Sequence, residues 1–233
     1  MKLLRQRSTQ PELMDNDDIS PADYRQCLAD LATVNCLTRT HQPTLRWLDQ
    51  VIHCLPAGTP VSVLDVACGQ GDLLRQIHRM AARRGYIVRL QGIDMNPRSA
   101  DEARRVTRSG MNIDYLTGDV FAFAPETPPD FIVSSQFTHH LTDIRIVQFL
   151  EWMERHARCG WFIADLQRHP LAYYGFTVLA GLARWHPVVR HDGAVSVARS
   201  FRCADWQALL AEAGILADIR WHIPFRLCVG RLK

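Results

Sequence analysis

The sequence predicts an α/β fold with a mostly parallel sheet, and three observations indicate it. Short apolar segments rich in β-branched residues alternate with longer segments whose apolar residues recur at helical spacing. A turn containing two glycines joins the first strand and helix of this series, in residues 61–80. Acidic residues follow three successive strands, at the edge where open α/β sheets bind ligands. A length of 233 residues fits one such domain with an appended cap.

Composition and charge disfavour several classes of protein. The 27 basic and 24 acidic residues give a net charge of +3, which is too balanced to favour nucleic acid as a partner. The seven cysteines are dispersed and form no C-x-x-C pair, which is typical of free thiols in a reducing compartment. No signal peptide is visible, and no apolar run is long enough to span a bilayer. We expect a cytoplasmic protein, monomer or homodimer, without stable membrane insertion.

The N-terminal quarter of the chain precedes the first predicted strand. Residues 1–20 are polar, and we expect their first part to be mobile. Ser20 followed by proline is typical of a helix start, and a second helix opens near Pro43. The polar residues that could face a ligand from this region are Asn35, Arg39 and His41.

The turn after the first strand carries the clearest signal in the chain. Residues 61–66 predict a buried strand, and Asp65 lies near its end, four residues before Gly69. Glycines at 69 and 71 let a ligand approach the main chain. The G-x-G-x-x-G pattern of dinucleotide-binding folds fails at Leu74, so the turn does not need to cradle a pyrophosphate. The Asp65 carboxylate can instead accept a hydrogen bond from a ligand ammonium or hold the turn through water.

The second strand, residues 87–93, ends at another carboxylate. Asp94 comes about 20 residues after the glycine turn, where a carboxylate can accept hydrogen bonds from both ribose hydroxyls of a nucleotide. Met95 would then pack on the adenine ring. The alternative is that Asp94 caps the next helix, because Asn96 and Pro97 begin one.

The pattern Asp65-x-x-x-Gly69-x-Gly71 after a buried strand resembles motif I of the class I S-adenosylmethionine (SAM) dependent methyltransferases. Ala67 stands where that family more often has glycine. The resemblance covers roughly residues 50–230. It implies a Rossmann-like seven-stranded methyltransferase sheet, mostly parallel with an antiparallel last strand, and helices on both faces. It also implies SAM as the cofactor and S-adenosylhomocysteine (SAH) as its product.

The resemblance also implies a set of cofactor-binding residues. In the family an acidic residue after the third strand commonly accepts a hydrogen bond from the adenine amine, which points to Asp119, and the amide of Val120 could reach a ring nitrogen. Small polar residues such as Ser135, at the end of the fourth strand, let the methyl donor approach. The implied set is Asp65, Ala67, Gly69, Gly71, Asp94, Met95, Asp119, Val120 and Ser135.

The same resemblance divides the chain into two regions. Residues 1–55 form an N-terminal helical extension, which acts as a lid over the cofactor or only pads the sheet. Residues 56–233 form the SAM-binding domain, with a helical cap inserted at about 169–200.

The loop after the fourth strand, residues 134–141, resembles that of small-molecule methyltransferases of the quinone-biosynthesis type, in which one or two histidines precede a leucine. The Asp/Asn-Pro-Pro-Tyr/Phe motif of DNA amino-methyltransferases is absent. His139 or His140 is the candidate base, because an imidazole can take a phenol proton near neutral pH. The alternative is that these histidines cap the following helix or pack structurally.

An aromatic insertion follows the fifth strand. It opens at Pro170, closes at Pro187, and carries Arg184 as its only full charge. We expect either a cap over the active site, which would offer an apolar wall to the substrate, or a dimer contact or core helix. The candidate substrate-binding residues are Tyr173, Tyr174, Phe176 and Arg190.

The next segment, residues 190–200, begins with Arg-His-Asp-Gly and reads as a polar turn followed by a short alternating run. His191 with Asp192 is either a second, weaker candidate proton acceptor or part of a plain turn. Together with the aromatic insertion, this segment resembles methyltransferases that act on polyketide-derived phenols and phenolic lipids.

These observations favour methyl transfer from SAM to a small apolar acceptor, with O-methylation of a phenol or hydroxyquinone as the leading hypothesis. No metal is expected, because no paired ligand motif is present. A C- or N-methyl acceptor stays open within the enzyme hypothesis. The alternatives of another class are a protein- or RNA-modifying methyltransferase and a non-catalytic SAM-binding module that regulates a partner.

Overall fold

A seven-stranded sheet forms the centre of the protein, as seen in a computed structural model that describes residues 4–15 and 19–233. The strands are β1 Pro60–Val66, β2 Ile87–Asp94, β3 Ile113–Thr117, β4 Phe131–Ser135, β5 Gly160–Leu166, β6 Asp218–His222 and β7 Arg226–Leu232. Their spatial order is β3-β2-β1-β4-β5-β7-β6. Strands β1 to β5 are parallel, whereas β7 runs antiparallel to both β5 and β6. The predicted sheet is confirmed, including its antiparallel last strand.

Helices cover both faces of the sheet, as predicted. The helices are α1 Pro21–Leu37, α2 Gln42–His53, α3 Asp72–Arg84, α4 Pro97–Val106, α5 Asp143–His156, α6 Pro170–Leu182, α7 Pro187–Arg199 and α8 Cys203–Glu212. Helices α2, α3 and α4 bury their apolar residues in one core, and α5 and α8 bury theirs in a second core across the sheet. The chain crosses from one face to the other between β1 and β4, which opens a crevice at the carboxyl ends of these strands.

A third apolar cluster joins α1 to α6 and α7 beyond the edge of the sheet. Its buried members are Cys27, Val34, Ala180, Trp185 and Val189. Ala180 is the one fully buried residue of α6, so the prediction of a core helix there is wrong. The apolar side chains on its outer stripe are exposed instead, namely Leu171, Tyr174, Val178 and Leu182.

Two local predictions about the polar segments were also wrong. The Arg-His-Asp-Gly segment lies inside α7 and is not a turn. In the N-terminal segment, residues 4–15, the side chains of Leu4 and Glu12 are buried against the domain, so the expectation of mobility does not fit these residues. The first helix begins as predicted, because the Ser20 side chain accepts a hydrogen bond from the amide of Asp23, but it continues through Asn35 to Leu37.

Within residues 4–15 and 19–233, no helix combines the length and the apolar character needed to cross a membrane.

Candidate active site

A cavity of about 170 Å³ lies at the carboxyl ends of β1 and β4, beneath α1. Three groups of side chains line it: the turn after β1, the loop after β4, and residues of α1 and of the N-terminal segment that lie over both. The polar members are Glu12, Asn35, His41, Asp65, Gln70, Asp72, Ser135, Gln136, His139, His140 and Ser196. The crevice expected from the strand order is therefore lined by both polar and apolar side chains.

The turn after β1 has the backbone conformation that its glycines predict. Gly69 and Gly71 have φ angles of +53° and +72°, in the left-handed region. At Gly71 a side chain would also collide with Tyr115, since an added Cβ would lie 2.3 Å from the tyrosine Oη. Gly71 precedes the first residue of α3, so the turn delivers the helix N-terminus to the cavity.

Ala67 lies in the same left-handed region, with a φ angle of +57°. An L-residue in this conformation costs about 1–2 kcal/mol, which outweighs the extra freedom that glycine gives the unfolded chain. We expect Ala67→Gly to raise the free energy of unfolding by about 0.5–1 kcal/mol, measured by urea denaturation. The matched control is Ala82→Gly in α3, an exposed helical position where the same change should cost about 1 kcal/mol. Equal losses in the two variants would contradict the strain at Ala67.

Asp65 is 2% exposed, and its Oδ1 atom has no hydrogen-bond partner among the described residues. Burial raises the pKa of this carboxyl group well above its usual value, and the nearby Asp72 and Asp94 raise it further. The Ser135 hydroxyl also lines the cavity and is also unpartnered. Buried polar atoms are rarely left without partners, so these two are groups that a ligand in the cavity could satisfy.

Asp94 ends β2 beside the turn and holds it in place. Its Oδ2 accepts a hydrogen bond from the amide of Gly69 at 2.8 Å, and its Oδ1 accepts one from the amide of Asn96 at 2.9 Å. Burial raises the pKa of this carboxyl group. The helix-cap alternative is wrong for Asp94, since Asn96 is the N-cap of α4 and accepts from the amide of Arg98. The Ser99 side chain also interacts with this carboxylate, and the two oxygens together keep capacity for a further donor.

The residues predicted to hold an adenine ring are not among those that line the cavity. The Met95 side chain is 75% exposed, and Val120 is buried. The Asp119 side chain is 45% exposed and lies 4.0 Å from the guanidinium of Arg145. These assignments stay predictions.

A polar network under α1 ties the first helix to the turn. The Nδ2 group of Asn35 donates to Asp72 Oδ2 at 3.0 Å, and the Nε2 group of Gln136 donates to Asn35 Oδ1 at 2.8 Å. His41 Nε2 lies 2.7 Å from the same Asp72 oxygen. Although burial raises the pKa of Asp72, the His41 imidazole outweighs it and the pKa is about 2. Asn35 and His41, named from the sequence, thus line the cavity.

His139 lies in a 3-10 turn, Thr138–His140, directly after β4. It is buried, and its Nδ1 lies 2.7 Å from Oδ1 of the fully buried Asp165 at the end of β5. Asp165 also accepts hydrogen bonds from the Thr138 hydroxyl and from the amides of His139 and Leu166. The following helix is capped by Thr142, so neither histidine caps α5.

Glu12 faces both histidines from the N-terminal segment. Its Oε1 lies 3.5 Å from His139 Nε2, and its Oε2 lies 3.7 Å from His140 Nε2. Burial raises the pKa of Glu12, but the two imidazoles outweigh it and the pKa is about 2. Burial lowers the pKa of His139, but Asp165 and Glu12 together raise it to about 9. Sequence reasoning missed Glu12, because a single glutamate in a polar segment carries no pattern.

Helix α7 positions Glu12. The Asp192 carboxylate accepts hydrogen bonds from the amides of Leu13 and Met14, both at 2.8 Å, and the Ser196 hydroxyl donates to Glu12 Oε1 at 2.9 Å. His191 Nδ1 lies 2.9 Å from Asp192, but the His191 side chain is directed away from the cavity lining, toward Gln10.

Arg199, at the end of α7, connects the same segments through their carbonyl groups. Its guanidinium donates to the backbone oxygens of His139, His140 and Gln10 at 2.9–3.0 Å. The N-terminal segment and the histidine turn are therefore held by one side chain.

The predicted substrate-binding residues lie apart from this cavity. Tyr174 and Arg190 are exposed, and Tyr173 and Phe176 are half-buried on α6. Among the described residues, none of these four lines the cavity. Their assignment to a substrate stays a prediction.

Comparison with protein families gives a match over the sheet region. Residues 63–160 match the model of the family described as Methyltransferase domain. A 2-phytyl-1,4-naphtoquinone methyltransferase from Thermosynechococcus vestitus is 35% identical over 88 residues. That alignment spans 37% of this chain and only 35% of the curated relative.

Solved structures share the fold at low sequence identity. Magnesium protoporphyrin IX methyltransferase from Synechocystis PCC 6803 with bound SAH matches with a TM-score of 0.54 and 17% identity, over 84% of this chain and 82% of that one. Plantazolicin methyltransferase in complex with SAH matches with a TM-score of 0.60 and 15% identity, over 91% and 95%. Human N-acetylserotonin methyltransferase in complex with SAM matches with a TM-score of 0.62 and 15% identity, over 92% and 56%. The sheet and its helices therefore have the same fold as these proteins.

Proposed function

We propose that this protein, which carries a methyltransferase domain in residues 63–160, transfers a methyl group from SAM to a small apolar acceptor, most simply the hydroxyl of a phenol or hydroxyquinone. The observation that carries the proposal is the unpaired, buried carboxylate oxygen of Asp65 beside the glycine turn. A cationic ligand with an ammonium group would satisfy that oxygen. The relatives with SAM or SAH bound and the quinone methyltransferase relative support the same choice.

The residues at the carboxyl ends of β1, β2 and β4 fit the parts of SAM. Asp65 would accept from the ammonium group and Asp94 from the ribose hydroxyls, and the Ser135 hydroxyl is free to donate to the amino-acid end. SAM supplies an electrophilic methyl carbon, so the protein needs mainly to align the acceptor with it and exclude water.

The acceptor side of the cavity is formed by the histidine turn after β4 and the N-terminal segment. A hydroxyl acceptor must lose its proton before or during attack. Glu12, His139 and His140 are the described groups that line this side. Because the pKa of His139 is about 9, His139 would already be protonated near neutral pH and would orient the acceptor. Of the two histidines predicted from the sequence, we therefore propose His140 as the group that takes the proton, with Glu12 added beside it.

A cavity of about 170 Å³ is smaller than the roughly 300–1,000 Å³ typical of ligand sites, so binding requires covering residues to move. The elements that cover it are α1, through Leu28, Leu31 and Asn35, and the N-terminal segment, through Glu12. We include in the proposal that residues 1–55 act as a lid.

The location of the protein is also part of the proposal. The seven free cysteines fit a protein of the reducing cytoplasm.

The test has two stages on the full chain. Calorimetric titration with SAM and SAH is expected to give saturable binding at one site. Incubation with SAM and a panel of phenols, hydroxyquinones, amines and thiols, followed by mass spectrometry, is expected to show one added methyl group on a hydroxyl acceptor. No binding of SAM or SAH by the folded protein would overturn the proposal. Binding together with methylation confined to protein or RNA would overturn the choice of acceptor.

A further inference from the structure

Glu12, His139 and His140 form a cluster whose members are too far apart for normal hydrogen bonds. One donor atom from each residue lies within 4.8 Å of the others. The carboxylate oxygens lie 3.5 Å and 3.7 Å from the two Nε2 atoms, whereas N–H···O bonds measure about 2.7–3.2 Å. Two imidazoles and a carboxylate thus point at one another across a gap.

The width of that gap matches a metal ion. A tetrahedral zinc ion lies about 2.0–2.1 Å from each nitrogen or oxygen ligand, which places two ligand atoms roughly 3.3–3.4 Å apart. The separations of 3.5 Å and 3.7 Å, each measured to a different oxygen of Glu12, come close to this value. Two histidines and one glutamate also form a ligand set of catalytic zinc sites, in which a further position stays open for water or substrate.

A carboxylate lies next to the second ring nitrogen of His139, as it does for many histidines that bind a metal ion. Its Nδ1 is 2.7 Å from the Asp165 carboxylate, which has the fixed partners described above. Nδ1–H would stay held by this carboxylate when an ion displaces the proton from Nε2, and the Nε2 lone pair would then face Glu12 and the cavity. Metal-binding histidines in proteins almost always have such a partner on the second nitrogen.

Residues of α7 hold Glu12 in position. The Ser196 hydroxyl donates to its Oε1, and Asp192 fixes the amides of the next two residues. Arg199 holds the carbonyl groups of both histidines. All three candidate ligands line the cavity, so an ion has a path to them and an acceptor has a path to the ion.

We propose that Glu12, His139 and His140 bind one divalent transition-metal ion of the zinc class, which faces the acceptor side of the cavity. Imidazole ligands favour zinc, cobalt or iron over magnesium, which prefers oxygen ligands. The sequence prediction that no metal is present rested on the lack of a ligand motif, and these ligands come from distant parts of the chain. The ion's role, to bind the acceptor oxygen and make its proton easier to lose, rests on the proposed function, but the binding of the ion does not.

The test is a titration of the full chain, stripped with a chelator, with Co²⁺ followed by visible absorption and with Zn²⁺ followed by calorimetry. We expect one equivalent of each ion to bind, with the d–d bands of cobalt in a nitrogen and oxygen environment. Mg²⁺ should not compete at equal concentration. Absence of binding by the folded protein would overturn the proposal.

Variants locate the ion. Glu12→Gln and His140→Ala should each weaken Co²⁺ binding by more than about tenfold, and Asp165→Asn by about 10–100-fold, as for the partners of ligating histidines. His53→Ala removes an exposed histidine at the end of α2 and should change nothing. The exposed thiols of Cys36, Cys54 and Cys203 are a second place where zinc could bind, and a variant with serine at all three should keep full affinity. Binding that survives Glu12→Gln and His140→Ala, or that is lost in the serine variant, would overturn the proposal.

The proposed metal site and the proposed methyltransferase function can be tested independently of each other. SAH binding and methyl transfer that persist at full rate in chelator-treated protein would overturn the proposed role of the ion in the reaction and leave the methyltransferase proposal intact. Cobalt binding that depends on Glu12, in a protein that does not bind SAH, would support the metal site and overturn the proposed function.

Discussion

Replacing Asp94 by alanine is expected to weaken the binding of SAH by at least about 100-fold. Hydrogen bonds to a charged group contribute about 1.5–3 kcal/mol each, two ribose hydroxyls can use this carboxylate, and every 1.4 kcal/mol or so is tenfold in affinity. The substitution also removes the 2.8 Å hydrogen bond from the amide of Gly69 to Asp94. The glycine turn thereby loses a contact that stabilises its conformation. Calorimetric titration of both proteins with SAH measures the change.

Three further variants give this prediction its controls. Asp94→Asn keeps the shape but removes the charge, and should fall between wild type and alanine. Asp119→Ala should cost less than Asp94→Ala, because the Asp119 side chain is 45% exposed and its contacts compete with water. Asp114→Ala, on the exposed side of β3, should leave binding unchanged. Equal binding by wild type and Asp94→Ala would contradict the ribose assignment.

Asp165→Asn is expected to lower the free energy of unfolding by about 3–5 kcal/mol, as for removal of one partner of a buried charge pair. The carboxylate is fully buried beside His139 and accepts hydrogen bonds from the Thr138 hydroxyl and two amides. An asparagine side chain would direct an NH₂ group at one set of these donors. Burial raises the pKa of Asp165, but His139 outweighs it and the pKa is about 2.

Urea denaturation followed by circular dichroism measures the loss. The matched control is Asp218→Asn, whose exposed carboxylate pairs with Arg220 at 3.1 Å and should change stability by less than about 0.5 kcal/mol. A loss below about 1 kcal/mol in Asp165→Asn would show that the histidine turn does not depend on this carboxylate.

Features that depend on neighbouring residues could be predicted from the sequence. The strand ending at Asp65, the glycine turn and the helix after it are coded within residues 60–84, and the structure has them as β1 and α3. Gly85 ends α3 in the left-handed conformation, as a glycine at that place predicts. The seven strands and the antiparallel last strand were predicted from the family resemblance and not from any local pattern.

The error at residues 190–193 has a packing cause. A glycine after aspartate usually signals a turn, but Gly193 lies inside α7. An added Cβ there would lie 2.1 Å from the ring of Phe176, so the glycine lets α6 approach α7 closely. The sequence pattern of residues 190–193 contains no information about where the Phe176 ring of α6 lies.

The acceptor side could be predicted only in part, because its members come from opposite ends of the chain. His139 and His140 follow a strand and were visible. Glu12 and Asp165 join them through tertiary contacts, which no local sequence pattern reports. The use of Asp192 and Ser196 to hold the N-terminal segment had no signal at all.

Arg199 gives this arrangement a consequence for the timing of the reaction. The guanidinium that holds the histidine turn also holds Gln10, and Glu12 arrives on that same covering segment. Withdrawal of that segment to admit a ligand would therefore separate Glu12 from His139 and His140. Under the proposed function, only the closed protein would hold all three acceptor-side groups together, so methyl transfer would wait until an acceptor has been enclosed.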